Sequence, residues 1–546
     1  MTDRPRSTIG RASAVLASGT IVSRILGFVN AAVLATAIGY IGAAADGFTL
    51  ATQIPNSIYA LIAGGLLSAV LVPQIVRAAT HDDGGERFIN KLVTLGVVVF
   101  AVVALMATLC APWLVGLYAQ SGARGFSPDE LALAIALAYW CLPQVFFYAL
   151  YSLVGQVLNA RSIFGPFTWA PALNNVIAII GLTVFIVMFG AYPTNQDAAA
   201  WTPLMIGVLG GTSTLGIAVQ AFVLTLFWRR AGLRFRPDFR WIGFGLGRTG
   251  KAAAWVFGMI LITQIAAIVE TNVATMASGE ASLGVLKYAW LIFMLPHSIV
   301  TVSIATAYFT RMSEHASAGN LGAVRDDVGS SLKTILLIMI FSAIGLMVLA
   351  YPFSAVFGGS FSDISALGNV VVAYLIGLVP FTILFVLQRV YYSLEDTRTP
   401  FFMQALQSIV FIAGVLAVAL LPVQWIAVGI ALVMTVAGTV QTVVAAALLR
   451  GRLGGLPVWP VVRASLGFFA AALAAAGVGI LIVWALGAFV PGGFAIATRL
   501  GAIVTLAVAG SAMAVVYLGL LAVTRNRQLA DLAARVLGRL RRTPAA

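Results

Sequence analysis

Long apolar runs, interrupted by short charged or Gly/Pro-containing breaks, dominate the pattern of this chain. Fourteen such runs stand out: 11–39, 44–77, 88–117, 129–158, 164–190, 202–229, 249–278, 282–311, 331–356, 365–395, 399–421, 424–450, 460–487 and 496–523. A bilayer core of about 30 Å needs roughly 20 apolar residues per helix, and each run is long enough. The runs are too long for barrel strands and do not alternate. The pattern predicts an all-α polytopic membrane protein with about fourteen transmembrane helices. Composition agrees. Of 546 residues, 61% are hydrophobic and 9% charged, with a mean hydropathy of +1.01. Soluble domains carry about 25% charged residues. An ordinary soluble enzyme, a disordered chain and a collagen-like chain are thereby excluded.

The net charge of +14 then becomes a topological signal. If the N-terminus is cytoplasmic, 27 of the 32 basic residues fall in inward-facing segments, and only Arg124 and Arg499 fall outside. This asymmetry is the positive-inside pattern and predicts cytoplasmic N- and C-termini. The richest basic stretch, FWRRAGLRFRPDFRWIGFGLGR at 227–248, interleaves aromatics with arginines. The tail after Arg525 is a second basic, amphipathic segment. Both read as surfaces for anionic inner-leaflet lipids rather than for nucleic acid.

The basic stretch also divides the chain into similar halves. PQVFFYALYSLVGQVLNARSIF from Pro143 echoes PFTILFVLQRVYYSLEDTRTPF from Pro380 at an offset of 237 residues. Pro143, Arg161 and Phe164 align there with Pro380, Arg398 and Phe401. A second echo pairs Ile54-Pro55-x-Ser57-Ile58 with Leu295-Pro296-x-Ser298-Ile299. Two six-helix lobes in parallel repeat are predicted, with a cavity between them and transport by alternating access. The expected organisation is an N-lobe at 1–230, an interfacial linker at 231–248, a C-lobe at 249–450, two extra helices at 451–524 and a tail at 525–546.

Little in the sequence points to catalysis. Cys110 and Cys141 both lie in apolar runs and are expected to be buried packing residues. Three histidines, with no CxxC or HExxH spacing, offer no metal centre. No GxxxxGK[ST] loop is present. A transporter without an ATPase motif or cofactor is expected, driven by a coupling cation (Na+ or H+) or by membrane potential. The informative residues are polar groups inside the spans, which are costly there and mark pathways. Arg24 sits mid-span on the first run, with Thr20, Gly27 and Ala31 as small neighbours on its helix face. Its planar fork suits a phosphate, and the competing expectation is an ion pair with an acid on a neighbouring span. Glu270, with Asn272 and Gln264 on the seventh run, reads as coupling or structural. Glu270 could also pair with Lys287 on the eighth run. Arg389 is expected to couple or to snorkel to the inner surface. Asp46 is expected near the outer end of its run, hydrated, and with Asn56 counts among the cavity residues. Asn174, Asn175 and His297 are uncharged polar groups, of the kind that join helices.

SGTIVSRILGF on the first run, AADGFTLATQIPNSI on the second, NARSIFGPFTWAPALNNV leading into the fifth and ETNVA on the seventh resemble the MurJ/MviN family over roughly residues 11–450. The resemblance implies a lipid II flippase, moving the lipid-linked peptidoglycan precursor from the inner to the outer leaflet of the bacterial plasma membrane. It implies a cationic cavity in which Arg24, seconded by Lys287, meets the pyrophosphate. It also implies a groove for the lipid tail on the last two helices. A monomer, working beside cell-wall synthesis proteins, is expected. Where many members carry further charges, this chain has Asn30 on the first run, Tyr59 and Ala60 on the second, and Trp290, Leu291 and Met294 on the eighth. The alternatives are a multidrug or other polyprenyl-linked glycan exporter of the same superfamily, and a non-transporting scaffold for cell-wall synthesis.

Overall fold

The computed structural model describes residues 6–62, 85–122, 124–161, 163–239, 250–531 and 534, with the side chains of 6–17 and 250–253 left aside. Its named elements among these residues are all helices, and it falls into two units, 1–284 and 285–546. Twelve described helices are long and apolar enough to cross a membrane, and a bent pair over residues 361–393 makes thirteen. The predicted 44–77 run is described only to Ile62. Arg240, Arg248 and most of the basic tail lie outside the described residues.

The first unit contains α1 (Arg6–Ile38), α2 (Ala43–Leu61), α3 (Glu86–Leu109), α4 (Ala111–Tyr118), α5 (Pro128–Cys141), α6 (Gln144–Ala160), α7 (Gly165–Phe189), α8 (Pro203–Thr225) and α9 (Gly250–Thr275). Helix ends cannot leave backbone groups unpaired in a low-dielectric setting, and local side chains supply the partners. Ser127 and Glu130 form a capping box at the start of α5, just ahead of Pro128. The C-terminus of α1 is closed by a turn from beyond α7. There the Tyr192 N–H donates to the Thr36 carbonyl, and buried Asn195 donates to the carbonyls of Ala37 and Gly190. Gly39, at φ 77°, reverses the chain directly against the Tyr192 ring, where a Cβ would collide. α1 packs on α7, α7 on α8, and α3 on α6. Ile89, Leu92, Phe100, Leu153, Val157, Leu224 and Trp228 form one buried core there. α9 packs against α2 and α4, so the division by packing falls one span later than the division by repeat. Cys141 is buried as expected, but Cys110 is exposed at the break between α3 and α4, so its packing role is corrected.

The second unit begins at Val285 and takes in most of α10 (Leu283–Pro296). It continues through a π-helical turn, His297–Thr301, into α11 (Val302–Ser317). α12 (Leu321–Val348), α13 (Ala350–Ala355), α14 (Phe361–Ile376), α15 (Leu378–Ser393), α16 (Arg398–Val418) and α17 (Ile426–Arg452) follow. α18 (Val458–Ala485), α19 (Phe494–Ala497) and α20 (Arg499–Val523) complete it. α18 packs on α12, and α20 packs on α18. The Tyr517 hydroxyl donates to the Leu337 carbonyl and its ring stacks on Phe341, which fixes α20 to α12.

The two echoed proline segments both fall at broken spans. α5 and α6 separate at Leu142–Pro143, and α14 meets α15 at Gly377 with a 44° bend, three residues before Pro380. A proline supplies no N–H, so carbonyls near such a break need other donors. Thr214 of α8 donates to the Trp140 carbonyl at 2.6 Å, and its hydroxyl accepts from Gln144. Thr435 and Thr442 of α17 donate to the carbonyls of Ala373 and Pro380. The sixth span of one half and the twelfth of the chain thus do the same work.

Candidate intramembrane polar site

Arg24 is exposed on α1, and no acid forms an ion pair with it among the described residues. The expected pairing with an acid on a neighbouring span is therefore not found among them. α1 is held by α7 close beside this arginine. Asn175 of α7 donates to the Ser23 carbonyl at 3.1 Å, and its amide lies 3.7 Å from where a Cβ on Gly27 would sit. Gly27 is therefore part of a helix contact and not open space. Gly216 of α8 approaches Asn174 so closely that a Cβ there would collide. Both asparagines join helices.

On α2, Asn56 is exposed and donates back along its own helix, to the Thr52 carbonyl at 2.9 Å. Its neighbour Gln53 reaches further, donating to the Thr271 hydroxyl of α9 at 2.7 Å. This cross-helix bond sits one residue from Glu270. Sequence reasoning quoted both residues in motifs but could not join them, because they are 218 positions apart. Glu270, Asn272 and Gln264 are all half-buried on α9. Glu270 and Lys287 belong to different units.

Asp46 requires a correction. It is not hydrated but wholly buried, and its Oδ1 accepts the Gly284 N–H at 2.9 Å in the first turn of α10. It also stands in the first turn of α2. The first turn of α10 thus donates to one carboxylate oxygen, while Oδ2 has no hydrogen-bond partner among the described residues. A buried carboxylate repels an anionic substrate, so Asp46 serves the architecture rather than a cavity wall. Around it, Ser278 donates to Glu130, and the Gln120 N–H donates to Thr275. These bonds tie the end of α9 to the neighbouring segments.

In the second unit, Lys287 is exposed on α10 between buried Leu286 and Tyr288. Trp290 packs against Phe293, Tyr374 and Phe381. His297 is buried, with its ring against Phe381 and Phe385 and Nδ1 3.5 Å from the Thr382 hydroxyl. Arg389 stacks its guanidinium over Phe385 at 4.6 Å and Phe309 at 5.7 Å. Beyond the span, Arg452 closes on Asp396 at 2.6 Å. Burial would raise the Asp396 pKa, but hydrogen bonds from Thr399 and the charge of Arg452 outweigh it and hold the carboxyl below its ordinary value.

The family profile described as lipid II flippase MurJ matches residues 34–525. The chain belongs to the MurJ family. A relative from Haemophilus influenzae, named probable lipid II flippase MurJ, is 27% identical over 402 residues, covering 70% of this chain and 75% of its own. A solved lipid II flippase MurJ in an inward closed conformation superposes with a TM-score of 0.70 at 20% identity, covering 91% of this chain and 98% of its own. An inward-facing multidrug resistance MATE transporter of the MOP superfamily superposes at 0.62 with 16% identity, covering 79% and 94%. Membership of the MurJ family makes this a multi-span membrane protein of a flippase family. The likeness to the MATE transporter shows that the fold is shared. Within the MurJ fold this chain places aromatic residues, centred on Trp290, on α10.

Proposed function

We propose that this protein is a lipid II flippase of the bacterial plasma membrane, carrying the lipid-linked precursor from the inner to the outer leaflet by alternating access. Arg24 carries the proposal within the MurJ family: a mid-span cation, exposed and without an ion pair among the described residues. An arginine fork meets two oxygens of a pyrophosphate at once. Transient neutralisation of that headgroup lowers the cost of moving it through a low-dielectric interior. Lys287, also exposed, is the second cation. No covalent bond is made or broken, and an ion gradient or the membrane potential supplies the direction. Glu270, with Asn272, Gln264 and the Gln53–Thr271 bond beside it, is the group through which a cation would couple. N- and C-termini are cytoplasmic, supported by 27 of 32 basic residues on one side. The linker and tail rest on anionic lipids, and the protein works as a monomer beside cell-wall synthesis proteins.

The test is reconstitution into vesicles with labelled lipid II on the inner leaflet, reading its arrival outside under imposed H+, Na+ or electrical gradients. Arg24→Ala is expected to reduce translocation at least about 30-fold, the scale of losing one partner of a desolvated charge pair. Complementation of a flippase-depleted strain by Arg24→Ala at normal expression would overturn the proposal.

A further inference from the structure

A cavity of about 1040 Å³ lies in the first unit, where the chain leaves α8 and crosses α3 and α6. Val93 and Val97 of α3 and Leu150 and Val154 of α6 form its apolar wall. Trp228, Arg229 and Arg234 line the same cavity. The segment that carries them is strapped to α3 by its backbone. Asn90 donates to the Arg234 carbonyl, Glu86 accepts the Arg234 N–H, and Thr94 accepts the Asp238 N–H. Glu86 is thus engaged with the Arg234 backbone. Both guanidinium-bearing side chains are exposed, and neither is in an ion pair among the described residues. Trp228 is only 7% exposed, yet its indole N–H has no hydrogen-bond partner among the described residues. A buried donor left unpaired costs free energy and calls for an acceptor. One side of the cavity therefore suits hydrocarbon, and the other offers a buried N–H and two cations.

We propose that this cavity is a binding site for an anionic glycerophospholipid, one acyl chain lying against half-buried Val97. The phosphodiester oxygens accept from Trp228 Nε1 and meet Arg229 and Arg234. Arg230 and Arg236 extend the basic surface within the same eight residues, so the local field selects a net negative headgroup over a zwitterionic one. The site uses none of the residues assigned to the lipid II pathway; it deepens, and rests on, the reading of the linker as a surface for anionic lipids. It ties the strap at 229–239 to the α3–α6 core and gives lipid composition a direct hold on the first unit.

The experiment titrates the purified full-length chain with phosphatidylglycerol or phosphatidylcholine and reads bound lipid by native mass spectrometry. Phosphatidylglycerol is expected to be retained at least about tenfold more tightly. Arg229→Gln/Arg234→Gln is expected to lose about 30-fold, at roughly fivefold per cation. Trp228→Phe keeps the ring and removes the donor; it is expected to lose about tenfold, the scale of a hydrogen bond to a charged group. Arg24→Ala is expected to bind phosphatidylglycerol as the unaltered chain does, so failure here and failure of the flippase reading are separable. Should the double variant not fold, Trp228→Phe and the headgroup preference of the unaltered chain decide. Equal retention of the two lipids, or unchanged affinity in Trp228→Phe, would overturn the site. So would displacement of phosphatidylglycerol by sub-stoichiometric undecaprenyl pyrophosphate, which would make the cavity part of the substrate's own path.

Discussion

Arg24 on α1 and Arg389 on α15 both interrupt apolar runs, yet the protein treats them differently. Arg389 is half-buried, and its guanidinium lies over two phenylalanine faces. Ring quadrupoles offset part of the cost of placing a cation at that depth. Arg24 is exposed, with no acid paired to it among the described residues, and the carbonyl of its neighbour Ser23 accepts from Asn175. A cation with built-in compensation stabilises its surroundings. One without it is suited to an anion that comes and goes. Asp46 lies between the two: the Gly284 N–H meets its Oδ1, while Oδ2 has no hydrogen-bond partner among the described residues.

This contrast is best broken by treating the two arginines alike. Arg24→Leu is expected to cut lipid II translocation at least about 30-fold with little change in thermal stability. Arg389→Leu is expected to lower stability by about 1 kcal/mol and leave translocation within a few-fold. Vesicle flipping and detergent melting curves read both, and equal losses of translocation would erase the distinction. Next comes Asp46→Ala, which orphans the Gly284 N–H and is expected to cost about 2 kcal/mol, whereas Asp46→Asn keeps an acceptor and costs less. A melting temperature indifferent to both would place Asp46 outside the architecture. Thr214→Val and Thr435→Val should each cost about 1 kcal/mol by stripping the donor from a broken span. Asp396 gives the smallest effect. Its depressed pKa means that the stability it adds is present above the ordinary aspartate range and is lost as pH falls through the folded value. The gap between the unaltered chain and Asp396→Asn should stay under about 1 kcal/mol at neutral pH and close in acid.

Much of the fold was legible because its signals are local. A run of twenty apolar residues announces a span wherever it packs, so the predicted runs fall on helices or broken helices wherever the chain is described. Pro143 stands at one break, and Pro380 stands three residues past another. The candidate site was less legible. Gln53 and Thr271, or Asp46 and Gly284, meet across more than two hundred residues, and no window along the chain joins them. The exposure of Cys110 was missed because hydropathy does not distinguish a core from a face turned outward.

By itself, then, the sequence determined a many-span helical membrane protein with two pairs of echoed segments, an asymmetric basic charge and an arginine within its first span. Hydrophobic length, proline chemistry and charge carry that information residue by residue. Only the tertiary structure decided which intramembrane polar groups are compensated. It gave Asp46 the Gly284 N–H, Arg389 two aromatic faces and Asn175 a carbonyl on α1, and it left Arg24 exposed. Compensation depends on atoms a few ångströms away in space, and helix packing alone sets which residues those are.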